Sequence, residues 1–256
     1  MSNISNAFKN GKAFIGFVTA GDPDLDSSLE IMTAMVNGGC DLIEIGIPFS
    51  DPIAEGPVIQ EADLRSLAQG TTTDKVFELT KKLSSRVDTP LVYMTYLNVL
   101  FKYGYDKFLQ NAKDAGISGV IVPDLPYEEK DELQSVAEKY DIDVISLIAP
   151  TSEDRIKMIA SDAKGFIYTV SSMGVTGMRN EIKTDLQSIV SHIKSVTDVP
   201  VAIGFGINKP QQAKEFSAYA DGVIVGSAIV NIVAEHGKDA PEYVFDYVKS
   251  MKDAIR

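Results

Sequence analysis

The sequence predicts a closed parallel (β/α)₈ barrel, and three observations predict it. Eight short runs rich in β-branched and apolar residues recur along the chain, with amphipathic stretches between them. The runs are nearly continuous in apolar residues rather than alternating, as expected of strands buried on both faces. The length of 256 residues suits one such barrel with its ring of helices.

The elements follow in order. Residues 3–10 read as a short extra helix that plugs the barrel bottom. The first strand, AFIGFVTAG (13–21), leads into an amphipathic stretch at 25–39. There Leu29, Met32, Met35 and Val36 share a face, and Gly38 and Gly39 end the helix. The second strand, DLIEIGI (41–47), runs into the loop IPFSDPIAEGP (47–57), followed by a helix over 73–86. The third strand spans 90–96 and its helix 104–115; the fourth strand spans 119–124. The helix over 127–141 opens on acidic residues, which suit the positive end of its dipole. Strands at 143–150, 165–171, 200–206 and 221–228 alternate with helices at 152–162, 184–196 and 208–219. A short extra helix begins at Ser227, and a final one (240–256) ends the chain. An open doubly wound sheet is the rival architecture, but its G-x-G-x-x-G fingerprint is missing after the first strand, which ends in TAGDPD. With no linker-like stretch, residues 1–256 read as a single domain.

Composition narrows the partners. A net charge of −12 repels nucleic acid and anionic lipid, so neither is an expected partner. The N-terminus has no secretory h-region and no apolar run could span a bilayer, so the expected location is the cytoplasm. Cys40 is the only cysteine, which rules out a disulfide within the chain. Both histidines, His192 and His236, fall on predicted helices, and no strand carries a lysine. The expected chemistry therefore uses neither a metal nor a Schiff base.

In a parallel barrel the chemistry sits at the C-terminal tips of the strands. Glu44 is the anomaly there, a carboxyl inside the apolar run Leu42-Ile43-Glu44-Ile45. Period-2 alternation sends Ile43, Ile45 and Ile47 toward the helices and Glu44 into the barrel mouth. Burial raises a carboxyl pKa and suits it to proton transfer near neutrality. The alternative is a structural glutamate paired with a buried cation. Glycines gather at the last three corners: Gly174 and Gly177 after strand six, Gly206 after strand seven, and Gly226 before Ser227. With the start of a short helix at Ser227, they are the expected cradle for a phosphate. Cys40, at the wrong end of its strand, reads as a packing residue.

These residues carry a resemblance to a known family. LIEIGIPFSDPIAEGPVIQEADLRSLAQG, with GFVTAGDP before it and SSMGVTG, GFGI and VGSAIV after it, closely resembles the tryptophan synthase α subunit over essentially the whole chain. The resemblance implies a lyase that cleaves indole-3-glycerol phosphate to indole and glyceraldehyde 3-phosphate by a retro-aldol reaction. It implies catalytic roles for Glu44, Glu55 and Tyr168. It places Phe17, Tyr96, Ile121, Ile148 and Thr176 at the indole pocket, and Gly177, Phe205, Gly206, Gly226 and Ser227 at the phosphate. It also implies a β-subunit partner that carries pyridoxal phosphate, in an α₂β₂ heterotetramer, met around Asp51, Pro52 and Asn98; this chain itself would carry no cofactor. Glu55 departs from the family, which usually has aspartate there. The charge is kept on an arm one methylene longer, with a solvent-facing loop charge as the alternative reading. Two other functions compete: a sugar-phosphate isomerase or indole-glycerol-phosphate synthase relative on the same barrel, and a non-catalytic phosphate-sensing subunit.

Overall fold

The computed structural model describes residues 3–170, 185–204 and 206–256. Among them are the strands β1 (Ala13–Thr19), β2 (Leu42–Gly46), β3 (Leu91–Met94), β4 (Ile117–Ile121), β5 (Asp143–Val144), β6 (Ser146–Ile148), β7 (Ile167–Val170), β8 (Val201–Gly204) and β9 (Gly222–Val225). All are parallel and lie in one sheet, in the order β5-β4-β3-β2-β1-β9-β8-β7-β6. β5 and β6 are halves of the fifth predicted strand, separated by Ile145. β5 pairs with β4 and β6 with β7, while the Ile145 amide donates to the Val120 carbonyl at 2.9 Å. The one-residue break turns the chain from one neighbour to the other and brings the ring nearly to closure around eight strand positions.

The helices are α1 (Leu25–Asn37), α2 (Pro57–Ala68), α3 (Thr73–Ser84), α4 (Leu97–Tyr103), α5 (Tyr105–Asp114), α6 (Lys130–Ala137), α7 (Glu153–Ser161), α8 (Leu186–Lys194), α9 (Pro210–Ser217), α10 (Ser227–His236) and α11 (Ala240–Ala254). α1 begins where Asp24 accepts from the Ser27 amide at 2.8 Å, and it ends at Gly38, with Gly39 at a φ of 103° that favours glycine. α2 and α4 are additions to the sequence-based layout. α2 buries Ile59, Ala62, Asp63 and Ser66, so half its inner face is polar and no apolar stripe marks it. α4 has seven residues and buries only Leu100. β4 starts two residues earlier than expected and stops before Pro123, which has no N–H to give to a ladder.

Two layers of core follow from the alternation. Ile43, Ile45, Val18 and Val120 point outward and pack against the helices. Ile15, Leu42, Val92, Ile121 and Ile224 fill the barrel interior. The opening 3₁₀ turn (Ile4–Phe8) buries Ile4 and Ala7 with that inner set, as a plug at the N-terminal end. Ser118 secures it by donating its hydroxyl to Asn3 Oδ1 at 2.6 Å. Gly119 and Gly165 leave the space that the Ile4 side chain fills, since a Cβ on either would lie 2.8 Å and 3.2 Å from its Cδ1.

Candidate active site

At the C-terminal end of the strands lies a cavity of about 470 Å³. Glu44, on β2, reaches its wall and is completely buried. Among the described residues neither carboxylate oxygen has a hydrogen-bond partner. Desolvation pushes this carboxyl up to about 8, so at neutral pH it holds a proton. Among the described residues no cation pairs with it.

Aromatic rings flank Glu44. Phe17 of β1 lies in register with it and lines the cavity. Tyr168 of β7 lines it too; burial, then the charge of Glu44, drive its phenol well above the ordinary value. Two glycines that the sequence reading did not single out make room for these rings. A Cβ on Gly46 would stand 2.6 Å from Cζ of Phe17, and one on Gly204 would stand 2.5 Å from the Tyr168 hydroxyl oxygen. No real side chain tolerates such approaches, so the strand ends are bare to admit the rings.

Glu55 enters from the loop between β2 and α2. It lines the cavity at 6 % exposure, which removes the solvent-facing alternative. Burial pushes its carboxyl up to about 7, with the charge of Asp124 adding to the rise and the amides of Glu55 and Ala54 opposing it. Tyr96 holds this loop from behind: its hydroxyl accepts from the amides of Ile53 at 3.1 Å and Ala54 at 2.8 Å. It is not among the cavity-lining residues. Ile121 and Ile148 also stand away from the lining. Ile121 packs in the barrel interior with Met94 and Tyr168. Ile148 points outward into the layer beneath the helices, because alternation along β6 gives the inward position to Leu147.

The lining also holds Gly206, Gly226 and Ser227, with Gly226 packed close to the Phe17 ring. Gly206 has a φ of 94°, and Gly226 caps α10, whose first residue is Ser227. The first amides of a helix have no partner inside it, and their dipole favours an anion. Thr176, Gly177 and Phe205 lie outside the described residues, as does Gly174. Asp51 and Asn98 are exposed and Pro52 is half-buried. Beside them Ile53 and Phe101 present apolar side chains that are 72 % and 70 % exposed.

Two further charged groups line the cavity from helices, where a survey of strand tips does not look. Lys130 of α6 lines the cavity and is largely buried, with its ammonium on Asp162 and 4.3 Å above the Tyr127 ring. Arg155 of α7 lines it as well and grips both oxygens of Glu128 at 2.6 and 3.1 Å. Asp63 of α2, 5 % exposed, accepts from the Thr19 hydroxyl at 3.3 Å. Cys40 is buried among apolar groups and its thiol, pushed up to about 12, donates to the Leu42 carbonyl at 3.0 Å. Among the described residues no group of three or more His, Cys, Asp or Glu is placed to hold a metal ion, and no helix is long and apolar enough to cross a membrane.

Comparison with known proteins gives one consistent result. A family model described as tryptophan synthase alpha chain matches residues 4–256. The tryptophan synthase alpha chain of Lacticaseibacillus casei is 49 % identical over 255 residues, covering 100 % of this chain and 96 % of that one. The one from Caldanaerobacter subterraneus subsp. tengcongensis is 48 % identical over 262 residues, with both chains fully covered. Among solved structures, subunit alpha of tryptophan synthase from Legionella pneumophila superposes with a TM-score of 0.90 at 36 % identity, covering 100 % of this chain and 98 % of that one. A Mycobacterium tuberculosis tryptophan synthase chain also scores 0.90, at 34 % identity and the same coverage. A buried carboxyl with no partner among the described residues, in a barrel mouth that also holds glycine corners, together with likeness along the whole chain, places this protein in the tryptophan synthase alpha chain family.

Proposed function

We infer that this chain is the carbon–carbon lyase of tryptophan biosynthesis, cleaving indole-3-glycerol phosphate to indole and glyceraldehyde 3-phosphate. The observation that carries the reading is Glu44, protonated at neutral pH by burial and lining a chamber that also holds the rings of Phe17 and Tyr168 and the corners at Gly206, Gly226 and Ser227. Gly206, Gly226 and Ser227 anchor the phosphate, joined by Gly177 and Phe205. The indole ring lies against Phe17, and Thr176 is a further contact to it.

Glu44 gives its proton to indole C3, which leaves positive charge on the ring nitrogen. Ionised Glu55 stabilises that charge, an effect strengthened where water is excluded. Glu44, now a carboxylate, takes the proton of the glycerol hydroxyl beside the ring as the carbon–carbon bond breaks and the new carbonyl forms. Tyr168 packs beside Glu44 and fixes its direction. The chemistry needs no cofactor in this chain; pyridoxal phosphate belongs to a β partner that consumes the indole. That partner docks on the face built from Asp51, Pro52 and Asn98, where Ile53 and Phe101 supply apolar surface. An α₂β₂ heterotetramer in the cytoplasm is the assembly this reading proposes. The non-catalytic alternative drew only on Glu55, and that side chain lies inside the chamber.

The test is indole release by the purified chain, alone and with a β partner. Glu44→Gln keeps the size of the side chain but has no acidic proton, so it should lower kcat by about 10²–10⁴-fold while leaving substrate binding intact. Near-normal turnover by that variant would overturn the mechanism. Zero activity of the wild-type chain under both conditions, with the partner still activated, would make it a regulator instead.

A further inference from the structure

α2, the helix that follows Glu55, is fastened to the turn after β1 by a row of directional bonds. The Thr19 hydroxyl donates to Asp63 at 3.3 Å, and the Ser66 hydroxyl donates to the Ala20 carbonyl at 2.6 Å. Arg65 sets Nε and Nη2 on the two carboxylate oxygens of Asp22, at 2.8 Å each. Asp22 is buried, so its charge depends on that fork. A guanidinium meets a carboxylate with two parallel bonds and fixes direction as well as distance; an ammonium is only a point charge. The apolar contacts of α2 are a small set, Ile59 and Ala62 against Phe17 and Val230. Apolar packing has little direction of its own, so the polar row is what sets how the helix lies along β1.

The other end of α2 meets Glu55. Gly56 alone separates Glu55 from the first helical residue, and the Gln60 side-chain amide donates to the Glu55 carbonyl at 2.8 Å. We propose that Arg65 is a positioning residue for Glu55: by gripping Asp22 it holds α2 against the turn after β1, and α2, through Gln60, sets where Glu55 enters the chamber. The effect on turnover rests on the lyase reading, whereas the effect on the placement of the loop does not.

The experiment pairs amide hydrogen exchange of the full chain with kcat and KM for indole release. Arg65→Met keeps much of the length of the side chain and loses the fork. Exchange at residues 53–56 should quicken by about fivefold while that of β7 and β8 stays as it was. Turnover should fall by about tenfold, with KM changed by less than about twofold. Arg65→Lys keeps a cation beside Asp22 without both bonds and should show the same effects in smaller measure; it carries the test if Arg65→Met does not fold. Gln60→Met cuts the link at the near end and should quicken the same amides. Adding an Arg65 substitution to Glu55→Gln should lower kcat no further, because the group being placed is already gone; a purely structural role would lower it again. Unchanged exchange over 53–56 in both Arg65 variants or in Gln60→Met, or a further loss of kcat in the double variant, overturns the proposal. Quickened exchange together with wild-type turnover in Glu55→Gln supports α2 as the arm that sets the loop and removes Glu55 from the lyase chemistry.

Discussion

Glu44 holds its proton in the folded chain at pH values where the unfolded chain has released it. Its folded value of about 8 stands above the ordinary 4.5, so folding takes up a proton throughout that window. The native state suffers no penalty from this group below about pH 4.5, and loses stability as pH rises toward 8. Glu44→Gln removes the acid and with it the dependence. The variant should gain little at pH 4 and on the order of 3 kcal/mol at pH 7, read from urea unfolding at both values. An equal gain at both would show that Glu44 is ionised or solvated in the native state. The residue predicted to be indispensable for turnover is thus one the fold would be firmer without.

At the scale of elements, the loop from β2 to α2 depends on a neighbour. Tyr96, at the start of α4, accepts from two of its amides immediately before Glu55. Tyr96→Phe removes that acceptor. It should cost about 1 kcal/mol of stability, and should lower indole release by roughly tenfold through misplacement of Glu55. Unfolding curves and steady-state assays check both, and unchanged turnover would make the strut purely structural. The sequence disclosed the strands because burial on both faces leaves an apolar run, and it disclosed Glu44 because a carboxyl stands out in such a run. It could not disclose α2, whose inner face carries Asp63 and Ser66, nor Lys130 and Arg155, which reach the cavity from helices. Gly46 and Gly204 escaped notice because their purpose is the ring that fills their space, visible only when strands are set side by side.

Across the whole molecule, the two ends of the barrel are treated differently: the C-terminal end holds the cavity, and the N-terminal end is stoppered by Ile4. Ile4→Ala should leave a void beside Gly119 and Gly165 and cost about 2–5 kcal/mol in urea unfolding. Because the site lies at the far end, KM should stay as it was; a loss below 1 kcal/mol would mean that the plug is ornamental. The circle itself is unevenly fastened. Five residue pairs join β1 to β2, but two join β4 to β5 and three join β6 to β7, on either side of Ile145. Val144, Ile145, Ser146 and Leu147 also wall the chamber. The sheet order begins at β5 and ends at β6, so the seam between them lies in the chamber wall, and any parting of the staves there would admit bulk solvent through the flank of the chamber instead of over its rim.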